Sequence, residues 1–241
     1  WDGNKYYLNA DGSMRCNEWR LDDTGKIRYL CSWGGAYKNR SAKINGRSYT
    51  FNSAAEVTNT QWVVLDGQWK LAKNGKMATG WQTWDGNWYY LNADGTMKAN
   101  ESFTDGGKTY FFCSWGGAYK NCWQTWDGKR YYLNADGTMK ANEWMIDTDG
   151  SVYYFRSWGG AYLNCKARIN GRSYTFGADS KVQGSQWVVK GGKWYLAKDG
   201  KMATGWQTWD GNKYYLNTDG SMRCNEWRLD DTGKIRYLCS W

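Results

Sequence analysis

Short runs along this chain alternate between apolar and polar positions with a period of two. Residues 5–8, KYYL, place Tyr6 and Leu8 on one side of an extended strand and Lys5 and Tyr7 on the other. No segment keeps a helical period over three turns. The pattern therefore predicts an all-β chain with a helix content near zero.

The stretch 80–100, GWQTWDGNWYYLNADGTMKAN, indicates how such strands are joined. Asp85-Gly86 is a two-residue turn signal, because glycine supplies the positive φ that tight turns need. It leads into an aromatic strand at 88–91, a loop at 92–95 and a second short strand around Met97. The stretch is predicted to form one β-hairpin.

The hairpin pattern recurs along the whole chain in four variants. The first contains WDGNKYYLNADGSM at residue 1, with close copies at 84, 126 and 209. The second contains SWGGAY, at 32, 114 and 157, the third INGRSYTF, at 44 and 169, and the fourth GKMATGW, at 75 and 200. Their order, one-two-three-four-one-two, occurs twice, with an offset of 125 residues from residue 1 to residue 126.

A closer internal match lies at an offset of 208 residues. Residues 1–33 and 209–241 differ at one position, Ala10 against Thr218. We expect residues 1–241 to be one continuous array that starts and ends within repeats, as a window on a longer array with a 208-residue period. Recent duplication within one domain and a designed repeat are the alternatives.

A unit of about 21 residues cannot bury a core alone, whereas stacked neighbours can. The predicted fold class is therefore all-β, a β-solenoid of about twelve stacked β-hairpin repeats. The side chains expected to face the stacking core are Leu8, Met14, Leu91, Met97, Leu133, Met139, Leu216 and Met222. The glycines expected in hairpin loops are Gly12, Gly95, Gly137 and Gly220.

The composition narrows the possible functions. Nineteen Trp and nineteen Tyr bring large apolar area with polar tips, which suits shallow sites half open to water. No His is present, so the commonest general base and the commonest metal ligand are both missing. No nucleophile elbow, phosphate loop or metal-binding helix motif occurs. We therefore expect no enzyme activity, no cofactor and no metal site.

The net charge of +9 comes with 32 Lys and Arg that are scattered, without a run of five or six. Two interpretations remain open: a solvated basic surface, or attraction to an anionic polymer such as a phosphate-rich envelope glycan. The even spread argues against a nucleic-acid groove. No apolar run is long enough to span a membrane.

The segment GWQTWDGNWYYLNADGTM resembles the cell-wall-binding, or choline-binding, repeat of Gram-positive surface proteins. It is also similar to the C-terminal repeats of clostridial toxins and of glucan-binding glucosyltransferases. The resemblance covers essentially the whole chain and implies a β-solenoid with sites between adjacent hairpins. In choline-binding members these are aromatic cages, in which cation–π attraction and dispersion hold a quaternary ammonium. Flat rings also stack on sugar faces, so the same tryptophans would serve a glycan.

The resemblance implies a cage around residue 80, built from two consecutive units. Its predicted members are Trp69, Trp81, Trp88, Tyr90 and Met97. The predicted members at the equivalent junction 125 residues later are Trp194, Trp206 and Tyr215. Lys213 replaces Trp88 there, and Lys5 and Arg130 hold the same position in other units, where a cation would repel choline. The alternative for any single tryptophan is structural, since a Trp wedged between hairpins needs no ligand.

The seven cysteines suggest an oxidising, extracellular setting, and their spacing offers no metal motif. Cys16 ends the second strand of one hairpin and Cys31 ends the first strand of the next, which predicts a Cys16–Cys31 disulfide. The repeated segment predicts a Cys224–Cys239 disulfide in the same way. The alternatives are small apolar fillers, or a cross-link from an odd cysteine to another chain.

Two classes of function fit these observations. The first is an extracellular or cell-surface module of a bacterium that binds cell-wall or extracellular polysaccharide, or choline-decorated teichoic acid, through aromatic sites between hairpins. The second is a structural fibre or stalk that self-associates and binds no small molecule. The family resemblance favours the first, whereas the cations at the cage position and the long-period identity favour the second. The binding module is the leading hypothesis.

Overall fold

A computed structural model describes residues 5–239 of the chain. The chain divides into two compact units, Trp1–Tyr119 and Lys120–Trp241. All regular structure within the described residues is β-strand and none of it is helix, which confirms the all-β prediction.

Antiparallel hairpins make up both units, and each hairpin joins two consecutive strands. The strands described in the first unit are β1 (Glu18–Leu21), β2 (Ile27–Leu30), β3 (Arg40–Ile44), β4 (Arg47–Phe51), β5 (Gln61–Leu65), β6 (Gln68–Lys73), β7 (Lys76–Met77), β8 (Gly80–Trp84), β9 (Asn87–Leu91), β10 (Ser102–Asp105) and β11 (Lys108–Phe111). Those described in the second unit are β12 (Cys122–Trp126), β13 (Lys129–Leu133), β14 (Trp144–Ile146), β15 (Val152–Tyr154), β16 (Cys165–Ile169), β17 (Arg172–Phe176), β18 (Ser185–Lys190), β19 (Lys193–Lys198), β20 (Lys201–Met202), β21 (Gly205–Trp209), β22 (Asn212–Leu216), β23 (Glu226–Leu229) and β24 (Ile235–Leu238). The short strands β7 and β20 extend the hairpins β5–β6 and β18–β19 to three strands.

The tight turns of many hairpins follow from Asn-Gly and Asp-Gly pairs. Asp85 and Gly86 both have positive φ, at 50° and 71°, and they join β8 to β9 as the sequence predicts. Two successive positive-φ residues define the type I′ turn, whose twist matches that of the flanking strands. The other Asn-Gly and Asp-Gly pairs with positive φ at both residues are 45–46, 66–67, 74–75, 127–128, 170–171, 199–200 and 210–211.

A loop follows each hairpin and returns the chain to the second strand. After β9, the Asp94 carboxylate accepts hydrogen bonds from the backbone N–H and the hydroxyl of Thr96, at 3.0 and 2.6 Å. The return then pairs Met97 with Leu91. The loop glycines predicted from the sequence all have positive φ: Gly12, Gly95, Gly137 and Gly220.

Consecutive hairpins are linked by a recurring backbone hydrogen bond. The N–H of Ala118 donates to the carbonyl of Trp88 at 2.8 Å, which ties the return strand of one hairpin to the second strand of the hairpin before it. The equivalent pairs are Ala36 with Lys5, Val57 with Ile27, Ala161 with Arg130, Val182 with Val152, and Met222 with Trp194. Each unit therefore contains hairpins that are stacked on their neighbours in sequence.

Methionines fill the space that glycine leaves at these stacking contacts. A Cβ atom added to Gly116 would lie 2.0 Å from the sulfur of Met97, so no larger residue fits there without displacing the methionine. The other pairs of this kind are Met14 with Gly34, Met77 with Gly95, Met139 with Gly159, and Met202 with Gly220. The recurrence of a methionine and a glycine-containing loop in successive repeats thus has a packing cause.

The buried side chains of each unit lie between stacked hairpins. Leu91, Leu133 and Leu216 are at most 1% exposed, which confirms that they face the core. Their partners Met97, Met139 and Met222 are half-buried. The prediction is wrong for Leu8, which is 63% exposed because no described hairpin covers it, and Met14 stays 46% exposed despite its contact with Gly34.

Candidate ligand sites between hairpins

The hairpin β8–β9 presents two different faces to its two neighbours. Its register pairs Trp81 with Tyr90 and Thr83 with Trp88, so these four side chains share one face. The side chains on the opposite face include Trp84, Tyr89 and Leu91. Each hairpin can therefore contribute to two separate sites, one with the preceding hairpin and one with the following hairpin.

Trp81 is the centre of the first site, which lies between β8–β9 and β10–β11. Its ring centroid is 4.5 Å from that of Tyr110, 6.0 Å from that of Trp88 and 5.3 Å from that of Tyr90. Its Nε1 donates a hydrogen bond to the carboxylate of Asp105 at 2.9 Å. The structure thus brings Trp81, Trp88 and Tyr90 together, as the sequence predicts.

The space left beside Trp81 is a shallow cavity of about 220 Å³. Trp88 lines it and is 39% exposed. Lys73 also lines the cavity, and its Nζ donates to the side-chain carbonyl of Gln82 at 3.2 Å. A cationic ligand would meet a like charge there, which disfavours its binding.

The predicted cage members Trp69 and Met97 do not lie beside Trp81, so the residues predicted for one cage do not line a single cavity. Both line a second cavity, of about 470 Å³, between β5–β6 and β8–β9. The reason is the period of two: Trp81 points toward the following hairpin, whereas the rings next to Trp69 belong to the opposite face of β8–β9. We call this second space the Trp69 cavity.

The Trp69 cavity has an aromatic floor and exposed aromatic walls. Trp62 and Tyr89 form the floor, with ring centroids 5.0 Å apart and exposures of 6% and 4%. Burial raises the pKa of Tyr89 above its ordinary value. Trp69, Trp84 and Trp115 line the opening, which gives a ligand several flat faces to stack on.

Trp115 reaches the cavity because two glycines follow it in the SWGGAY motif. Its ring lies over Gly117, where an added Cβ would be 2.0 Å from the ring. The ring centroid is also 6.0 Å from that of Tyr89. The sequence reasoning missed Trp62, Trp84 and Trp115, and the Trp-Gly-Gly run was the signal that an exposed ring folds back on its own loop.

An arginine of the chain already covers one face of Trp69. The Arg47 guanidinium lies 4.4 Å from the Trp69 ring, and Arg172 lies 4.3 Å from Trp194 in the second unit. Both arginines directly follow the Asn-Gly turn of the third repeat variant, as the first residues of β4 and β17. The cation–π position that a quaternary ammonium would take is thus occupied by a guanidinium at these two tryptophans.

The residues predicted for the second cage also lie in two separate places. Trp194 lies with its ring 6.4 Å from that of Trp187, whereas Trp206 lies 5.3 Å from Tyr215. The Arg228 guanidinium covers the Tyr215 ring at 3.8 Å. Beside Trp187 is a cavity of about 340 Å³, lined by Arg172, Ser173, Gln186, Trp187 and Trp209.

The predicted disulfides are not formed, and all seven cysteines are free thiols. Cys31 is buried and its thiol lies 2.9 Å from the carbonyl oxygen of Gly35, so it is engaged within its own loop. Cys16, its predicted partner, is exposed, as are Cys224 and Cys239 of the second predicted pair.

Two further features of residues 5–239 bear on function. Within that range, no group of three or more His, Cys, Asp and Glu side chains is arranged to hold a metal ion. Nor does the described chain contain a helix with the length and apolarity needed to cross a membrane.

Four segments, residues 1–14, 79–97, 123–139 and 204–222, match a family described as the putative cell wall binding repeat. A stretch of 112 residues, 41% of this chain, is 30% identical to Glucosyltransferase-S of Streptococcus downei and covers 8% of it. The match therefore spans a small part of that curated relative.

Among solved structures, the choline-binding domain of CbpL from Streptococcus pneumoniae is 34% identical. That match covers 76% of this chain and 94% of that one, with a TM-score of 0.45. The modular autolysin LytC from the same organism is 27% identical over 98% of this chain, with a TM-score of 0.47. This chain spans half of the autolysin's length.

Proposed function

Because this chain belongs to the cell wall binding repeat family, we propose that it is a non-catalytic module that binds a cell-wall or extracellular glycan. The Trp69 cavity is the proposed site. The module would act outside the cell or at the bacterial surface, where such a polymer is found. The relatives whose names point to this chemistry are an autolysin and a glucosyltransferase.

The observation that carries the proposal is the arrangement of rings around the Trp69 cavity. Its volume of about 470 Å³ lies within the usual range for sites that take small ligands. Trp69 and Trp115 are 42% and 55% exposed, so a sugar can stack on the ring surface that Arg47 leaves uncovered on Trp69 and on the ring of Trp115.

The position of Arg47 favours a sugar over choline in this cavity. Its guanidinium lies against Trp69, and N–H donors of this kind can bind the hydroxyl oxygens of a neutral sugar. A quaternary ammonium has no acceptor for these donors and would be repelled by the charge. The ligand class proposed is therefore a neutral glycan.

We further propose that residues 1–241 form one continuous β-solenoid array. The support is the recurring hydrogen bond between consecutive hairpins, which is found inside both units with the same residue positions. Repeated weak sites along such an array would gain affinity for a polymer through multivalency.

Self-association into a fibre is the second candidate function. The observation that favours it is the cations that cover predicted cage rings, Arg172 at 4.3 Å from Trp194 and Arg228 at 3.8 Å from Tyr215. Rings covered in this way can hold hairpins together without a ligand. Sedimentation at increasing protein concentration and electron microscopy test for assembly.

The binding proposal is tested by titrating the protein with glucan oligosaccharides, soluble peptidoglycan fragments and choline. Tryptophan fluorescence and calorimetry report binding. We expect saccharide binding with a dissociation constant of about 1 mM per site, and a loss of about tenfold on Trp69→Ala. The matched control is Trp227→Ala, an exposed tryptophan in the other unit, which should bind as the wild type does.

Two results would overturn the proposal. One is the absence of binding to every saccharide tested. The other is equal saccharide affinity in wild type, Trp69→Ala and Trp115→Ala. If choline alone binds, and Trp88→Ala removes that binding, the ligand is choline at the Trp81 site and not a glycan in the Trp69 cavity.

A further inference from the structure

A polar cavity of about 370 Å³ lies in the second unit, beside the loop that follows β15. Two guanidinium groups line it, those of Arg156 and Arg168. The amide side chains of Asn142 and Asn170 and the ring of Trp158 also line it, and no carboxylate is among the lining residues. This charge and polarity set the cavity apart from the aromatic Trp69 cavity of the first unit.

The hydrogen-bonding capacity of Arg156 is not used up within the described chain. Its Nε is buried and has no hydrogen-bond partner among the described residues, and its Nη2 meets the weak acceptor Sγ of Cys165 at 3.6 Å. A buried charged donor that stays unpaired loses its bonds to water without replacement, which destabilises the fold. Such a donor beside a cavity indicates that an acceptor belongs in the cavity.

Arg168 also retains free donors at the cavity. Its Nε donates to the carbonyl of Gly171 at 3.2 Å, which leaves the Nη groups of the guanidinium. Neither Arg156 nor Arg168 forms an ion pair within residues 5–239. Glu143, the acid nearest in sequence to the lining, is already paired with Lys140 at 3.3 Å.

The first unit also contains an SWGGAY loop, but the residue before this loop is a cysteine there and not an arginine. Cys31 stands where the second unit has Arg156, and Arg40 stands where the second unit has Cys165. In both units one guanidinium covers a tyrosine ring: Arg40 covers Tyr37 at 4.5 Å, and Arg156 covers Tyr162 at 4.3 Å.

Covering the tyrosine ring therefore does not require the arginine to stand at residue 156. The first unit achieves it with an exposed arginine at residue 40. Placing the arginine at 156 instead buries its Nε beside a cavity that a second arginine also lines. The exchange of Cys and Arg between the two positions thus adds a binding feature without changing the ring contact.

We propose that the Arg156–Arg168 cavity binds an oxyanion, namely the phosphate or carboxylate substituent of an acidic glycan. Guanidinium groups bind both kinds of oxyanion through paired N–H donors. Trp158, which is 45% exposed, offers a flat face beside the anion for the sugar that carries it. The inference goes beyond the proposed function, because binding of a neutral glycan in the Trp69 cavity does not need this site.

The test is a titration of the full chain with inorganic phosphate and, separately, with glucuronate, at constant ionic strength. Calorimetry and the NMR signal of the Arg156 Nε–H report binding. We expect saturation by at least one anion, with a dissociation constant of about 1–10 mM. Saturation by phosphate alone, or by glucuronate alone, identifies which substituent the site takes.

The decisive variant exchanges the two residues, Arg156→Cys with Cys165→Arg, and so copies the arrangement of the first unit. The ring contact with Tyr162 should be restored and the thermal unfolding midpoint kept, while anion affinity falls at least about tenfold. Arg168→Gln, at an exposed position, should weaken anion binding by several-fold and covers the case in which the double variant misfolds.

Equal anion affinity in the wild type and in whichever of these variants fold would overturn the proposal. So would the absence of saturation by both anions at about 50 mM. A neutral glucan oligosaccharide titrated in parallel should bind the double variant as it binds the wild type. Failure of the anion site and failure of the Trp69 cavity are therefore distinguishable.

Discussion

Replacing Gly117 by Ala tests whether the Trp69 cavity depends on the ring of Trp115. Gly117 lies outside the left-handed φ region, so alanine adds no backbone strain at this position. Its Cβ would lie 2.0 Å from Cζ3 and 2.1 Å from Cη2 of Trp115. The ring of Trp115 must therefore move, and the cavity loses one of its walls.

The expected cost to stability is small, because the displaced ring is 55% exposed already. Its edge contact with Tyr89, at a centroid distance of 6.0 Å, is worth about 0.5–1.5 kcal/mol. The expected loss is a larger fraction of the free energy of glycan binding than of the free energy of unfolding. Loss of one stacking wall should remove about 1–2 kcal/mol, which is about a five- to thirtyfold loss of glycan affinity.

The assay is calorimetric titration with the oligosaccharide that the wild type binds best, together with urea unfolding. Gly35→Ala is the matched control, since its Cβ would lie 1.7 Å from the ring of Trp33 in an equivalent loop. Both variants should lose similar stability, and glycan affinity should fall in Gly117→Ala alone. Unchanged affinity in Gly117→Ala would show that Trp115 forms no part of the site.

Three further predictions concern the hairpins themselves. Arg28→Met should cost about 3–5 kcal/mol in urea unfolding, because Arg28 is paired with Asp22 at 2.7 Å and its side chain is 3% exposed. Arg236→Met in the repeated segment should cost less than Arg28→Met, because the Arg236 side chain is 39% exposed and Lys213 also pairs with the buried Asp230 carboxylate, at 3.5 Å. Burial pushes the pKa of Asp22 up, but hydrogen bonds from Thr24, Lys26 and Arg28 outweigh it and hold that pKa below its usual range. The pair should therefore stabilise the fold above about pH 4 and lose its effect as the pH falls further. In Asp22→Asn, the free energy of unfolding should fall less steeply as the pH is lowered below about 4. A maleimide reagent should modify the native protein rapidly at the exposed thiols and leave Cys31 and Cys113 unmodified until it unfolds, as read by peptide mapping; the exposed thiols are Cys16, Cys224 and Cys239.

The sequence predicted the local structure well because that structure depends on neighbouring residues. Asp85-Gly86 adopts the expected turn, and the two faces of β8–β9 follow from alternation alone. Trp81, Trp88 and Tyr90 come together because they share one face of a single hairpin. A two-residue period and the φ preferences of glycine, asparagine and aspartate are sufficient for these results.

The contents of the candidate sites could not be predicted in the same way. Trp69 and Trp88 occupy equivalent positions of consecutive repeats, yet they line different cavities, because each hairpin gives opposite faces to its two neighbours. Trp115 enters the Trp69 cavity from a later repeat, and Arg47 enters it from an earlier one. Such contacts depend on how hairpins stack, which no single repeat encodes.

The segments 18–30 and 226–238 separate the contribution of the sequence from that of the tertiary structure most clearly, because their sequences are identical. Sequence alone determined that both form the same hairpin with the same register, β1–β2 and β23–β24. Tertiary structure decided that Ile27 is fully buried while Ile235 is 72% exposed. The reason is that strand pairing is satisfied within one repeat, whereas burial of an apolar face requires the neighbouring repeats that pack against it.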